Sequence, residues 1–589
     1  MPMNGTNGHT DGAMTAGQQI ALLRAQIESL ARDNEKLAAE NSRLAAEAAA
    51  EHARIAELEG KMARIIEQIK LANTRFFGCK SEKVVPEQLS LFNGVEASAD
   101  PSAEEPAVAV ALSPARRRRR GGKRLIDTSK LERVVVEHAV EDPECPECGS
   151  ALSEMKVEVT EVIRLVPAHL VVEEHRRHVY RCDSCCRSNA EGGEGKSVIV
   201  RAPMPALTPI PGSFATASLV ASVINSKYAY SMPLYRLEDE FACLGASISR
   251  QNMANWVVNV HGRWLSLVHA RMKEKLLEGR YIHADETECQ VLREPGRDPH
   301  SKSRMWLFRS GARDIPNCIY EYHPTREGRV AREFLSGWSG YLTTDGYPAY
   351  YSLGNPGITN VSCLVHARRK FEEIVKVAGG DAAAEAAGSV ALAARRRIDA
   401  MFRVDAGFDR LGAEERREMR LEKLKPLMVE FGEWAGGQVL RAVPNLALHG
   451  ALEYAIRYWP YVMNVLEDGN LELDNNIAER AIKPFVIGRK NFLFSNTPRG
   501  ANASAAIYSI VVTAKLNGLN QRAYVEWLLT EMPNDAHLRE PGRIDRYLPW
   551  SDAVPDGCRL GPKEAAEAAE MPDEPIVDAA TLEAIQALS

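Results

Sequence analysis

The stretch Tyr281-Ile282-His283-Ala284-Asp285-Glu286-Thr287 leads from an apolar, β-favouring start directly into a carboxylate. A second carboxylate, Asp345, follows another β-rich run, Gly340–Thr344. A third, Glu479, comes just after Asp474-Asn475-Asn476, which is a typical start signal for a helix. Mg²⁺ takes oxygen ligands, and a metal pair can stabilise both the attacking and the leaving oxygen of an in-line displacement. The three acids therefore predict a two-metal site for phosphoryl transfer.

Each acid also has a simpler interpretation. Asp285 could end a strand at a turn, and Asp345 precedes Gly346 in an ordinary Asp-Gly turn. Glu479 could satisfy a backbone N–H in a capping box that begins at Asn476. Other acids lie close to it and compete for the third position: Glu467, Asp468, Glu472 and Asp474. We favour Glu479, because a helix fixes a metal ligand better than the loop that holds Glu472.

The distribution of charge, more than the net charge of −6, indicates a polyanionic partner. A basic arm follows an acidic, Pro/Ala-rich linker and contains Arg116, Arg117, Arg118, Arg119, Arg120, Lys123 and Arg124. Residues 480–500 hold further basic side chains and no acidic one, whereas the segment after Trp550 is acidic. The arm is consistent with a disordered, solvated segment that binds phosphates, since each neutralised phosphate releases counterions.

Four of the 11 cysteines form two CxxC pairs: Cys145 with Cys148, and Cys182 with Cys185. β-favouring runs at 157–166 and 169–180 lie between the pairs, and a hairpin there would bring the thiols together. This pattern predicts one tetrahedral Zn²⁺ per chain, with a redox pair as the alternative. We find no signal peptide and no run of the ~20 apolar residues that a membrane helix needs. The expected location is the cytoplasm, with no membrane partner.

A heptad pattern near the N-terminus predicts a dimeric coiled coil. Leucines at 23, 30, 37 and 44 recur at one position, and isoleucines at 20, 27, 55 and 69 recur at the other. Asn34 and Asn41 occupy the second position, which favours a parallel two-stranded register. A single amphipathic helix on the protein's own surface is the alternative.

Residues 205–262 predict consecutive short helices, with either a helix-turn-helix or an ordinary helical hairpin near 245–256. In the first case Arg250, Gln251 and Asn252 begin the second helix, where such motifs reach base edges. A later helix carries His366, Arg369 and their basic neighbours. These side chains could line a DNA channel or form a solvated face.

From about residue 278 the pattern becomes α/β. We predict strands at 281–292, 304–308, 318–322 and 340–344, helices at 326–335 and from 363 onward, and an all-helical stretch at 380–445 between the second and third acids. The predicted divisions of this multidomain α+β chain are a disordered 1–17, a coiled-coil helix 18–80, a linker with the basic arm 84–124, a zinc-ribbon-like β module 125–200, a helical DNA-binding region 201–265, an α/β catalytic domain in two parts 270–375 and 451–500, a helical insertion 376–450, a helical C-terminal extension 501–550 and an acidic tail 551–589.

Several motifs together resemble DDE transposases of the insertion-sequence-66 type. The most specific are His283 to Thr287 and Asp474 to Arg480. Supporting motifs are Gly78 to Lys83, Glu87 to Phe92, the two CxxC pairs, Pro233 to Arg236, Gly488 to Phe494 and Ala514 to Gly518. Cys79 departs from the usual Arg or Ser, and the acidic tail is an addition.

The resemblance implies a ribonuclease H-like catalytic fold, a pair of Mg²⁺ or Mn²⁺ ions held by Asp285, Asp345 and Glu479, and strand cleavage and transfer at terminal inverted repeats. Its implied partners are double-stranded DNA, a second copy of the chain and accessory proteins of the same element. A domesticated, inactive transposase acting as a DNA-binding regulator and a nuclease without strand transfer are the alternatives. The candidate DNA-binding residues are the basic arm, Arg250, Gln251, Asn252, His366, Arg369, Arg480, Lys483, Arg489 and Lys490.

Overall fold

A computed structural model describes residues 16–77, 169–181 and 199–561 of the 589-residue chain. These residues divide between two compact units. One contains 16–77, 205–234 and 251–561, and the other contains 169–181, 199–204 and 235–250. Within these described ranges, no helix is both long enough and apolar enough to span a bilayer.

Helix α1 runs without interruption from Ala16 to Phe77, over 62 residues. The segment contains no proline and is rich in Ala, Leu, Glu, Arg and Lys, which are strong helix formers. The heptad side chains that the structure describes face solvent: Ile27 is 64% exposed, Leu30 63% and Leu37 57%. The predicted coiled-coil positions therefore lie on one continuous helix with an exposed apolar stripe.

The second unit contains a short antiparallel pair, β1 (Val179–Arg181) and β2 (Ile199–Arg201), in which Tyr180 lies opposite Val200. The prediction of a strand over 169–180 was mostly wrong, because residues 169–178 are irregular and exposed. β-Branched residues favour a strand only where a neighbouring strand supplies hydrogen bonds and side-chain contacts.

The predicted zinc ligands are not part of this described strand pair. The β1 strand ends at Arg181, directly before the second CxxC pair, and the run predicted at 157–166 precedes the described segment. The basic arm also lies outside the described residues, and so do all four predicted ligands: Cys145, Cys148, Cys182 and Cys185. The tetrahedral thiolate site therefore stays a prediction from the sequence.

A mixed five-stranded sheet forms the centre of the first unit, in the order β5-β4-β3-β6-β7. β3 (Tyr281–Gln290) pairs antiparallel with β4 (Lys302–Ser310), which pairs antiparallel with β5 (Cys318–His323). On the other side, β6 (Gly340–Thr344) is parallel to β3, and β7 (Ile358–Ser362) is parallel to β6. Strands β3 to β6 lie where the sequence predicts them, whereas β7 was missed.

The remaining helices, in chain order, come from both units. They are α2 (Ala217–Tyr228), α3 (Leu234–Cys243), α4 (Arg250–Val260), which passes through a π turn at His261–Leu265 into α5 (Ser266–Glu278), α6 (Gly328–Phe334), α7 (Leu364–Val377), α8 (Asp381–Ala386), α9 (Val390–Ala406), α10 (Ala413–Met419), which passes through a π turn at Arg420–Leu424 into α11 (Lys425–Arg441), α12 (Ala447–Met463), α13 (Asn476–Phe492), α14 (Pro498–Leu516) and α15 (Gln521–Glu531).

Helices α7 to α12 fill the chain between the sheet and α13, in agreement with the helical pattern predicted for 380–445. Their buried side chains, among them Phe371, Ile398 and Phe431, form one core with Tyr341 and Val361 of the sheet. The start of this helical segment is hydrogen-bonded to the chain that follows its last helix, because the Leu364 N–H donates to the Leu473 carbonyl at 2.8 Å.

Helix α14 covers the free edge of β5. Its Thr513 Oγ1 accepts from the Cys318 N–H at 3.0 Å, and its Ser509 Oγ accepts from the Tyr320 N–H at 2.8 Å. An edge strand otherwise presents unpaired donors to solvent. The first part of the acidic tail also packs: the Cys558 carbonyl accepts from the Asn520 N–H at 2.7 Å, so residues 551–561 continue the folded region.

Candidate active site

Asp285 and Asp345 come from neighbouring parallel strands. His283 of β3 lies beside Thr343 of β6, so the same register two residues further on places Asp285 beside Asp345. Asp345 follows the last residue of β6, and its Oδ1 accepts from the Tyr347 N–H at 2.9 Å. The next residue, Gly346, has a φ of +90°, and a Cβ there would lie 2.5 Å from the Tyr454 hydroxyl oxygen. The turn that positions Asp345 therefore requires glycine.

Asn475 ties the start of α13 to β3. It is fully buried, and its Nδ2 donates to the Ala284 carbonyl at 2.9 Å. Its Oδ1 accepts from Nδ1 of His283 at 3.0 Å, and its backbone N–H donates to Sγ of Cys363 at 3.2 Å. Because Ala284 directly precedes Asp285, these bonds fix the first turn of α13, and with it Glu479, against the strand that carries the first acid.

Arg309 of β4 provides a second anchor for the same turn. Its Nη1 donates to the Ile477 carbonyl at 2.8 Å. Burial lowers the pKa of Arg309, and the positive charge of Arg480 lowers it further. Burial also lowers the pKa of His283 to about 4, so the imidazole that bonds Asn475 is neutral near pH 7.

The carboxylate of Glu479 does not act as a helix cap. The N–H of Asn476, which a capping box would pair with Glu479, donates to Oδ1 of Asp474 at 2.9 Å. Oε1 of Glu479 is buried and accepts no hydrogen bond. Nε2 of His366 lies 3.7 Å from Oε1, while Oε2 accepts from Nη2 of Arg369 at 3.4 Å. One oxygen of Glu479 therefore remains available to a ligand.

The acids that compete for the third position are already engaged. Glu472 accepts two hydrogen bonds from Arg416, both at 2.9 Å. Asp468 accepts from the Tyr281 hydroxyl at 2.7 Å, and Glu467 accepts from the Tyr341 hydroxyl at 3.1 Å. Asp474 accepts from the Asn476 N–H at 2.9 Å and from Nδ2 of Asn476 at 3.1 Å. Among these candidates, Glu479 has the carboxylate that is least committed to the fold.

The acids form an electrostatically unbalanced group. Burial raises the pKa of Asp285 well above its ordinary value, and the charges of Glu286, Asp345 and Glu479 raise it further. Burial also raises the pKa of Glu286, although the Tyr350 hydroxyl donates to it at 2.7 Å and Nε of Arg326 also donates at 2.7 Å. Clustered carboxylates with an unsatisfied oxygen fit a divalent cation that takes oxygen ligands.

The predicted DNA-binding residues fall into different settings. His366 and Arg369 contact Glu479, and Nη1 of Arg489 donates to Oγ1 of Thr287 at 3.2 Å, two residues along β3 from Asp285. Arg480 lines a cleft together with Arg309 and Lys515. Lys483 and Lys490 are exposed. Arg250, Gln251 and Asn252 occupy the first three positions of α4, as predicted for a second helix.

Sequence reasoning missed the residues that hold the acids in place: His283, Asn475, Arg309 and Cys363. His283 and Asn475 lie inside the quoted motifs. The available signal was a polar residue close in sequence to a candidate acid, His283 to Asp285 and Asn475 to Glu479. Arg309 gave none, because an arginine inside an apolar strand looks like an edge residue until its helical partner is known.

Comparison with known families agrees with this geometry. The model described as "Transposase IS66 family" matches residues 212–503, which contain Asp285, Asp345 and Glu479. A "zinc-finger binding domain of transposase IS66" matches 142–186, which contain both CxxC pairs, Cys148 and Cys185 included. A third, "Transposase C of IS166 homeodomain", matches 64–136. The chain belongs to the IS66 family of transposases, a family of DNA-binding, DNA-cleaving enzymes, and it carries that family's zinc-binding module.

Similar curated proteins come from Sinorhizobium fredii. The uncharacterized protein y4qI is 29% identical over 533 residues, which cover 86% of this chain and 92% of that protein. The uncharacterized protein y4jD is 28% identical, with 69% of this chain and 78% of that protein covered. The uncharacterized protein y4hP is 27% identical over 72% of this chain and 75% of its own length. The likeness therefore extends well beyond the catalytic motifs.

Proposed function

We propose that this chain binds the terminal inverted repeats of an insertion sequence and catalyses metal-dependent DNA strand cleavage followed by strand transfer. The observation that carries the proposal is the meeting of Asp285, Asp345 and Glu479, two acids from adjacent parallel strands and one from an anchored helix. The sheet order β5-β4-β3-β6-β7, antiparallel on one side and parallel on the other, supports a ribonuclease H-like catalytic domain.

In this proposal Asp285, Asp345 and Glu479 bind two Mg²⁺ or Mn²⁺ ions. The bound ions supply a water of lowered pKa and stabilise the attacking and leaving oxygens of the scissile phosphodiester. The protein's own residues mainly position groups, as in other phosphoryl transfers. Neutral His283 and Asn475 hold α13 in place, and Oε1 of Glu479 is left open for a cation. The 3′-hydroxyl freed by hydrolysis would then attack a phosphodiester of the target DNA, so that one P–O bond forms, one breaks, and the 3′-oxygen of the cut target strand leaves as a hydroxyl.

The remaining parts of the chain have supporting roles in the proposal. The arginines at 116–120 neutralise phosphates of the end DNA, and one Zn²⁺ is held by Cys145, Cys148, Cys182 and Cys185. Arg250, Gln251 and Asn252 read base edges from the start of α4. His366, Arg369 and Arg489 lie next to the acids and contact the backbone near the scissile bond.

The decisive experiment compares Glu479→Gln with Glu472→Gln, using a duplex that carries the repeats flanking the gene. In Mg²⁺, Asp285→Asn, Asp345→Asn and Glu479→Gln should each slow strand cleavage by about 10²- to 10³-fold or more, because each removes a metal ligand. All three should keep most of their affinity for the end duplex in a gel-shift assay. Strand-transfer products on a second duplex would separate a transposase from a simple nuclease.

Glu472→Gln is the matched control. It removes a carboxylate of the same type seven positions away and breaks the paired hydrogen bonds to Arg416. We expect a lower melting temperature with cleavage largely retained. If Glu479→Gln cleaves at nearly the wild-type rate, while a folded Glu472→Gln does not cleave, the third acid has been assigned to the wrong residue.

The exposed apolar stripe of α1 supports dimerisation through a parallel coiled coil. Deletion of residues 1–75 should convert the dimer to a monomer in multi-angle light scattering, because the heptad leucines and isoleucines are lost together. A point variant, Leu37→Glu, places a charge in the centre of the stripe and should weaken the dimer without removing the helix. An unchanged mass for the deletion variant would place the dimer interface elsewhere.

A further inference from the structure

A second cluster of metal-binding side chains overlaps the third acid. The ligand atoms of Cys363, His366 and Glu479 all lie within 4.8 Å of one another. Cys363 is the N-cap of α7 and His366 lies in its first turn, so both side chains are presented from the same end of one helix. Glu479 approaches from the first turn of α13. Two rigid helix starts thus bring a thiol, an imidazole and a carboxylate together.

Hydrogen bonding within the fold leaves part of this cluster unsatisfied. Oε1 of Glu479 is buried without a hydrogen-bond partner, and the ring nitrogen of His366 that lies nearest to it is Nε2, whereas the unpaired Nδ1 is the other nitrogen of the ring. Buried polar atoms are usually paired, so unpaired ones call for an explanation such as an ion. Sγ of Cys363 accepts the Asn475 N–H, and a sulfur can accept such a bond while it also binds a metal.

One spacing between ligand atoms of the cluster suits a tetrahedral ion, and the other two lie within 4.8 Å. Bonds of ~2.0–2.3 Å to Zn²⁺ place ligand atoms roughly 3.4–3.7 Å apart, and Nε2 of His366 already lies 3.7 Å from Oε1 of Glu479. The side chains of His366 and Glu479 are 22% and 27% exposed, which gives an ion a path from solvent. Three protein ligands leave a fourth position for water.

We propose that Cys363, His366 and Glu479 form a binding site for Zn²⁺, distinct from the CxxC module, and that Zn²⁺ bound there inhibits cleavage by occupying Glu479. Thiolate and imidazole select Zn²⁺ over Mg²⁺. When the sulfur–metal bond forms, the thiol proton leaves to solvent, and no oxidant or reductant is needed. The inhibitory half rests on the proposed function of Glu479, whereas the binding half does not.

Binding is tested on the full-length chain with Cd²⁺ as a probe, since cadmium–thiolate bonds absorb in the ultraviolet. Wild-type protein should bind one more Cd²⁺ per chain than Cys363→Ser or His366→Gln, with a correspondingly weaker thiolate absorbance in Cys363→Ser. The CxxC cysteines are unchanged in every variant, so their contribution cancels from the difference. Cys318→Ser is the matched control, because Cys318 is also a buried free thiol but lies in β5.

The test uses two variants so that it stays decisive if one of them misfolds. In Cys363→Ser the serine still accepts the Asn475 N–H, and His366→Gln leaves Cys363 intact. Equal Cd²⁺ stoichiometry in the wild type and in either folded variant would overturn the site. Inhibition is measured as the ratio of cleavage rates in Mg²⁺ with and without micromolar Zn²⁺. Zn²⁺ should lower the cleavage rate about tenfold in the wild type and much less in His366→Gln. Cd²⁺ binding without any cleavage activity would count against the proposed function and not against the site.

Discussion

Two clusters of charged side chains lie within the same unit, one largely buried and one half-buried, and they are built in opposite ways. In the first, Arg416 and Arg420 are 1% and 0% exposed and bond the carboxylates of Asp405 and Glu472. These two arginines and two carboxylates are matched in number, and the exposed Asp409 adds a third carboxylate at 3.4 Å from Arg416. In the second, the negative charges of Glu286, Asp345 and Glu479 all act on Asp285. The cations that contact this second cluster, Arg326 and Arg369, are 43% and 52% exposed.

The difference separates a structural role from a functional one. A buried ion pair with satisfied hydrogen bonds can be replaced at little cost, but removal of one partner leaves a stranded charge. A group of like charges destabilises the fold until something cancels it, and such imbalances are concentrated at functional sites. The matched cluster fixes α9, the π turn after α10 and the loop before α13. The unmatched cluster is expected to gain stability when protons or cations bind.

The largest expected effect comes from breaking the matched cluster. Arg420→Met removes the cation that bonds both oxygens of Asp405, at 2.6 and 2.8 Å, and the Leu471 carbonyl at 2.8 Å. We expect the free energy of unfolding in urea to fall by about 3–5 kcal/mol, because Asp405 is left buried with one hydrogen bond from Arg416 in place of its paired bonds to Arg420. The double variant Asp405→Leu/Arg420→Met should regain much of that loss. A loss below about 1 kcal/mol in the single variant would show that the cluster is not a matched one.

The opposite result is expected in the unmatched cluster. Asp285→Asn removes one of several mutually repelling carboxylates, so the metal-free protein should melt at least ~2 °C higher near pH 7, while Mg²⁺-dependent cleavage is lost. Glu288→Gln is the control from the same strand. Glu288 is 45% exposed and paired with Lys302 and Arg304, so its loss should change stability by less than about 0.5–1 kcal/mol. A metal-free Asp285→Asn protein that is less stable than the wild type would contradict the comparison.

A smaller effect is expected in the pH dependence of that stabilisation. The pKa of Asp285 is raised in the folded state, so the folded state holds this proton more tightly than the unfolded state does. The associated stability is complete below the unfolded-state value near 3.8 and is lost as pH rises through the higher folded-state pKa. The gap in melting temperature between Asp285→Asn and wild type should therefore widen with pH and then level off. Saturating Mg²⁺ should abolish this difference in melting temperature. A difference that becomes smaller as pH rises would show that the pKa of Asp285 is not raised in the folded state.

Local sequence patterns located the parts of this site that are locally encoded. Asp285 and Asp345 were identifiable because each sits in or directly after a β-rich run, and Glu479 because a helix-start signal precedes it. The choice between Glu479 and Glu472 could not be settled from the sequence, since it depends on Arg416, which lies 56 residues before Glu472. Strand β7 was missed because it is a five-residue edge strand containing Asn360, with three half-buried residues before its buried end.

Tertiary contacts account for the rest of what the sequence could not provide. The pairing of His283 with Asn475 joins residues 192 positions apart, and no local pattern encodes it. The prediction of a strand over 169–180 was mostly wrong for the converse reason. Its β-branched residues favour a strand, but most of them have no neighbouring strand among the described residues. Cys363 appeared to be a scattered cysteine until α7 and α13 were placed side by side.

The hydrogen bond between the Leu364 N–H and the Leu473 carbonyl has a consequence for how such a chain can change over evolutionary time. The two ends of a long helical excursion meet at one point, so the spacing between the second and third acids in space is independent of their spacing in sequence. Residues can be added or removed at the turns inside the excursion, such as Gly379-Gly380 or the 442–446 connection, without displacing Glu479. The helical segment is thus a place where length and surface can diversify, or where a reporter domain can be inserted, while the chemistry stays in register.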